Sequence, residues 1–250
     1  ILLKDACDLQ AELGGINELS DHSYIYQPSI SDHSQNHNHY DWTILIELIR
    51  DSWLETLTKN SKLAFLIAEK LRFYSYPIFR RLMFFAASQS NIIPSEHGLD
   101  WLLKDNHRWL WSIETKRDAI RLIVSLGPSL TKTNLFKLEK AIIKGPSNEL
   151  YPTDIELKEL KRVKDHEIWL RLAKLSNTDI ELSKETVSKL QELENIYSFK
   201  IKNDGQDEFP YWIGDGDDYK TFSKAPQNRR ELAEWLKRNS GDDQVAKDTW

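Results

Sequence analysis

His33, His37 and His39 stand close to Asp32 and Asp41, and imidazole and carboxylate groups are zinc ligands. A zinc site needs at least three ligands on a rigid frame, with further partners holding each one. The surrounding residues are Ser, Asp, Asn and Gln without apolar period, so the segment reads as a solvated loop and no metal residue is assigned. A second cluster, Asp204, Asp207, Glu208, Asp215, Asp217 and Asp218, suggests a calcium loop. No register supplies acids at alternate positions with Gly at the sixth and Glu at the twelfth. Gly214-Asp215-Gly216-Asp217 therefore reads as a turn whose Asp side chains accept from nearby backbone N–H groups.

Covalent and phosphate chemistry have no motif. Gly-x-Ser-x-Gly, Gly-x-x-x-x-Gly-Lys-Ser/Thr and Gly-x-Gly-x-x-Gly are all missing. Cys7 reads as a small core residue, His166 beside Glu167 as a surface pair, and His97 and His107 flank a helix without an evident partner. The residues assign no catalytic group and no cofactor, and we expect this segment not to be an enzyme.

Two sets of residues suggest binding instead. Between Lys59 and Arg81 lie six basic residues and one acid, Glu69, interleaved with Phe65, Phe73, Tyr74, Tyr76 and Phe79. Basic groups beside aromatics suit single-stranded nucleic acid, which makes Lys70, Arg72, Arg80 and Arg81 its candidate contacts. The same aromatics fall at core spacing, and the chain has net charge −5. A solvated helix face, or one facing more of a larger protein, is the first reading and nucleic acid the alternative. The second set comes from the nine Trp, most of which fall on apolar stripes. In Trp109-Leu110-Trp111 neighbouring side chains diverge, so at least one ring needs a second surface, in an adjacent repeat or a partner. With Phe209, Tyr211 and Trp212 of a breaker-rich aromatic loop, Trp109 and Trp111 are the candidate protein-interaction residues.

These residues must be placed by helices. Few Gly and Pro leave little material for tight hairpins, which favours an all-α class. A first helix covers 2–13 and stops at Gly14-Gly15, and a polar linker runs to residue 40. Six helices then start near Asp41, Ser61, Pro77, Ser95, Thr115 and Thr131, with capping-box spacing at Thr115/Asp118 and stops at two Gly-Pro-Ser tripeptides. Leu63, Ile67 and Leu71 form the apolar stripe of the second, and the third is apolar nearly all round, hence central. Every second start recurs after 34 to 38 residues, the period of stacked helical hairpins. We therefore expect an α-solenoid over 41–150, against an irregular bundle as the alternative. Further helices follow over 151–238, opening at a Thr153/Glu156 capping box and broken by the aromatic and acidic loop near 200–225, with a charged tail over 239–250.

Four stretches carry a family resemblance: Tyr76-Pro77-Ile78-Phe79-Arg80-Arg81-Leu82; Trp101-Leu102-Leu103 with Arg108-Trp109-Leu110-Trp111; Glu167-Ile168-Trp169-Leu170-Arg171-Leu172-Ala173-Lys174-Leu175; and Asp207-Glu208-Phe209-Pro210-Tyr211-Trp212. Over roughly 40–238 the chain resembles the HEAT-like helical region in the C-terminal part of large bacterial antiphage defence proteins. Those carry a STAND-type nucleotide-switch ATPase or a sirtuin-like NADase at the other end. The resemblance carries over no catalytic residue. It implies a sensing or scaffold segment that recognises a phage protein or neighbouring domains of its own chain. The first residue is Ile and the single Met is Met83, from which we expect a part of a longer product. No window reaches the roughly 18 apolar residues of a membrane helix, and no signal-peptide pattern opens the chain. With one Cys, this leads us to expect a cytoplasmic protein away from membranes.

Overall fold

A computed structural model describes residues 2–33, 35–36, 41–89, 92–178 and 180–197, all within the unit Ile1–Tyr211. Helix α1 (Leu2–Glu12) buries Leu3 and Cys7. It is followed by Gly14 at φ +78°, whose N–H donates to the Ala11 carbonyl. A short α2 (Ser23–Tyr26) interrupts the polar segment. Helices α3 (Ile44–Lys59) and α4 (Ser61–Leu71) are separated by one residue, Asn60, which serves both. Its N–H closes α3 on the Thr56 carbonyl, and its side chain accepts from Leu63 N–H at 3.0 Å to open α4. Pro77 takes the first position of α5 (Pro77–Gln89), and ten of the thirteen residues there are buried, as an all-round apolar helix requires.

Helix α6 (Ser95–Leu103) leads into a tight turn that composition did not reveal. Asp105, Asn106 and His107 all have positive φ, and α7 (Arg108–Trp111) follows. Helices α8 (Lys116–Leu126), α9 (Lys132–Lys144), α10 (Leu157–Ser176) and α11 (Lys184–Glu194) complete the described elements. Thr131 and Ser183 cap α9 and α11 through their hydroxyls.

The two capping boxes do not form. Thr115 Oγ1 donates to the Trp109 carbonyl at 2.6 Å and Asp118 pairs with Arg81, because tertiary partners outbid the local cap. Helix α10 starts only at Leu157, and Glu156 caps nothing with its side chain. The two Gly-Pro-Ser stops also differ. Gly145 has φ +75°, whereas Gly127 stays right-handed at φ −42° and turns into a 3-10 segment, Gly127–Ser129.

Packing joins helices that are well separated in the chain as well as sequence neighbours. Helix α5 lies on α8 and α8 on α10, while α6 lies on α9 and α9 on α11; α3 packs on α4 and α4 on α5. Among the described residues no strand forms, and the class is all-α. No helix among them is long and apolar enough to cross a membrane.

Candidate functional site

Arg81, a candidate nucleic-acid contact, points into the fold with 1 % of its surface exposed. Its Nε lies 2.7 Å from Asp118 Oδ2, and it donates to Ser23 Oγ and to the carbonyls of Gln27 and Pro28. Asp21 accepts from the N–H groups of Ser23 and Ile78, and Glu114 accepts from Ser20 Oγ and His22 N–H. The polar segment after α1 is thus fastened onto α5 and α8. It is irregular, as its composition suggests, yet Asp21, Ser23, Gln27, Ser29 and Ile30 are buried, which a spacer would not be.

A second tie joins α8 to α10. Glu167 accepts from Lys116 Nζ and from Arg171 Nη1, each at 2.6 Å. Burial would raise the Glu167 pKa, but Arg171 and Lys116 outweigh it and hold the carboxyl at about 2, against an ordinary 4.5. Arg171 also donates Nε to the Leu110 carbonyl and lies 4.4 Å over the Trp111 ring. A third tie is Glu139 on α9, which accepts from Ser183 N–H and Thr186 Oγ1 at the start of α11.

The second surface expected for one ring of Trp109-Leu110-Trp111 is found within the chain, and the partner-contact role given to the two rings is corrected. Both rings are buried, with 4 % and 7 % exposure, so neither offers itself to a partner. Trp111 finds its second surface in Arg171 of α10, and Trp109 donates Nε1 to Asp105 at 2.8 Å with Arg80 and Arg108 near its ring. Phe209, Tyr211 and Trp212 lie outside the described residues, as do His37, His39 and the acidic cluster at 204–218. His33 accepts from Gln35 N–H through Nδ1. Among the described residues no three His, Cys, Asp or Glu side chains converge as metal ligands. Cys7 is buried, and burial, helped by Asp21, pushes its thiol up to about 12. It borders an apolar cavity of about 500 Å³ beneath α1, which the edge-to-face pair Tyr26 and Trp42 also lines.

Of the remaining basic candidates, Lys70 and Arg72 are exposed and Arg80 is half-buried. Arg72 and Arg80 share a groove between α4, α5 and α6, where Arg72 pairs with Glu69 at 3.4 Å. His97 lies 3.7 Å from the same Glu69 and against the Phe65 ring, the partners that its sequence position did not show.

Sequence periodicity missed the outer face of α4. The buried side there is Ala64, Ala68 and Leu71, and Trp53 donates Nε1 to the Ala64 carbonyl at 2.9 Å. Leu63, expected inward, is therefore exposed. With Leu66 at 55 % exposure, Lys62 and Lys70 it forms an exposed stripe of apolar and basic residues, which Phe73 extends just beyond the helix end. A shallow groove of about 440 Å³ lined by Phe65, Leu66, Ile92 and Pro94 adjoins it. The signal was present in the sequence: alanines at 64 and 68 mark where helix backbones approach closely.

Among the described residues, fold and site together define an all-helical unit with buried ionic ties between helices and an exposed apolar and basic helix face. No protein-family model, curated protein or solved structure matches the chain.

Proposed function

We propose that this chain is an α-solenoid segment of HEAT-like stacked hairpins that docks a protein partner through the outer face of α4. The α4 stripe carries the reading. Exposed Leu63, Leu66 and Phe73 lie beside Lys62 and Lys70, none of the lysines being ion-paired among the described residues. Such a face fits an acidic amphipathic segment, whose apolar side chains would fill the groove and whose carboxylates would meet the lysines. The neighbour-to-neighbour packing of α5, α8 and α10 and of α6, α9 and α11 supports the solenoid reading. The likeness to bacterial antiphage defence proteins extends it to a sensor or scaffold, with a phage protein or a neighbouring domain as the partner. Burial of Arg81 removes one of four candidate contacts from the nucleic-acid alternative.

The test is capture of interacting proteins by the wild-type chain, by Leu66→Asp and by Lys70→Glu. Phe136→Asp on α9 serves as the control, since Phe136 has a comparable 48 % exposure. Loss of about tenfold in capture for both α4 variants, with the control unchanged, is expected of an interface anchor. Equal capture by all four chains contradicts the reading.

A further inference from the structure

The groove between α4, α5 and α6 encloses about 450 Å³, a size within the range of small-molecule sites. Arg80 of α5 and Lys104 at the end of α6 both line it, and neither forms an ion pair among the described residues. Arg80 is fixed in place: Nη1 donates to the Arg72 carbonyl at 3.1 Å and approaches Met83 Sδ. Its Nε is shut from solvent without a partner, and no hydrogen bond occupies Nη2 among the described residues. Burial lowers the pKa of Arg80 and Asp105 opposes that only in part, as for a cation stripped of water without a close counter-charge. Buried charge is normally paired, so a half-buried, immobilised guanidinium whose Nη2 has no acceptor and whose only ring contact is Trp109 lacks a counter-charge among the described residues.

The groove's acids do not fill that place. Glu69 is held by Arg72 and His97, and Asp100, its other carboxylate, forms no ion pair with Arg80 or Lys104. The rest of the wall includes Met83, Trp101 and Leu103.

We infer that this groove binds a small organic anion, its phosphate or carboxylate against Arg80 and Lys104 and its apolar body against Met83, Trp101 and Leu103. A planar guanidinium with free donors suits either oxyanion. The groove's lining adjoins the α4 stripe at Arg72 but shares no residue with it, and its test does not depend on that reading.

The experiment titrates adenosine monophosphate, benzoate and adenosine into the full chain and follows the side-chain NMR signal of Arg80, assigned with Arg80→Lys. At least one of the two anions shifts that signal and adenosine does not; which anion does so separates phosphate from carboxylate. Lys104→Glu, at an exposed position, weakens the binding about tenfold, and Arg80→Gln abolishes it. No shift with either anion, an equal shift with adenosine, or binding that Lys104→Glu leaves unchanged overturns the inference. The Lys104 variant keeps the test decisive should Arg80→Gln fail to fold.

Discussion

The guanidinium of Arg81 meets the Asp118 carboxylate at 2.7 Å, with both side chains almost fully buried. Such a pair is dearest when halved, because the remaining charge is stranded in a poor solvent. Asp118→Ala should destabilise the chain by about 3–5 kcal/mol in denaturant unfolding; a loss below about 1 kcal/mol would place the ion in water. Glu167 predicts a pH effect. Its folded pKa lies near 2, below the ordinary 4.5, so its contribution is present above pH 4.5 and is lost as pH falls toward 2. Wild-type melting temperature should drop more steeply across that window than that of Glu167→Gln, which has no carboxyl to protonate. Parallel curves would show the Lys116 and Arg171 contacts to be inert. Residue type announced little of this. Arg81 sits in a basic, aromatic stretch that suggests a surface, and only the partners brought by Ser23, Gln27 and Asp118 from distant positions make it a core residue.

Helix ends show where local sequence rules hold and where they yield. Asn60, Thr131 and Ser183 cap as their types suggest, each accepting from the N–H three residues ahead. Thr115 and Asp118 have the spacing of a cap, but a backbone carbonyl and a buried arginine claim them. The paired Gly-Pro-Ser stops allow a direct comparison. At Gly145 a Cβ would meet Ile168 Cδ1 at 3.0 Å on a backbone of positive φ, and at Gly127 it would meet Leu175 Cδ1 at 3.0 Å on a helical backbone. Both substitutions to Ala crowd a flexible side chain, but only Gly145→Ala adds backbone strain of about 1 kcal/mol or more. Thermal unfolding should rank Gly145→Ala as the less stable variant. The reverse order would mean that the Leu175 contact governs.

At the scale of the whole described unit, the helix starts were legible because Pro, Asn, Ser and Thr punctuate regular apolar spacing. The polar segment 20–36 was not, since its burial rests on hydrogen bonds to α5 and α8 that no hydropathy period records. The outward stripe of α4 was legible only through Ala64 and Ala68: Leu63 satisfies a core pattern, but the alanines take its place because α3 packs closely there. The central claim is that this stripe is where the molecule meets its partner. Amide hydrogen exchange across the chain, with and without the protein it captures, tests it most directly. The account predicts added protection confined to 59–73, with 132–144 unchanged. Protection elsewhere, with the amides of α4 exchanging as in the free chain, would contradict it.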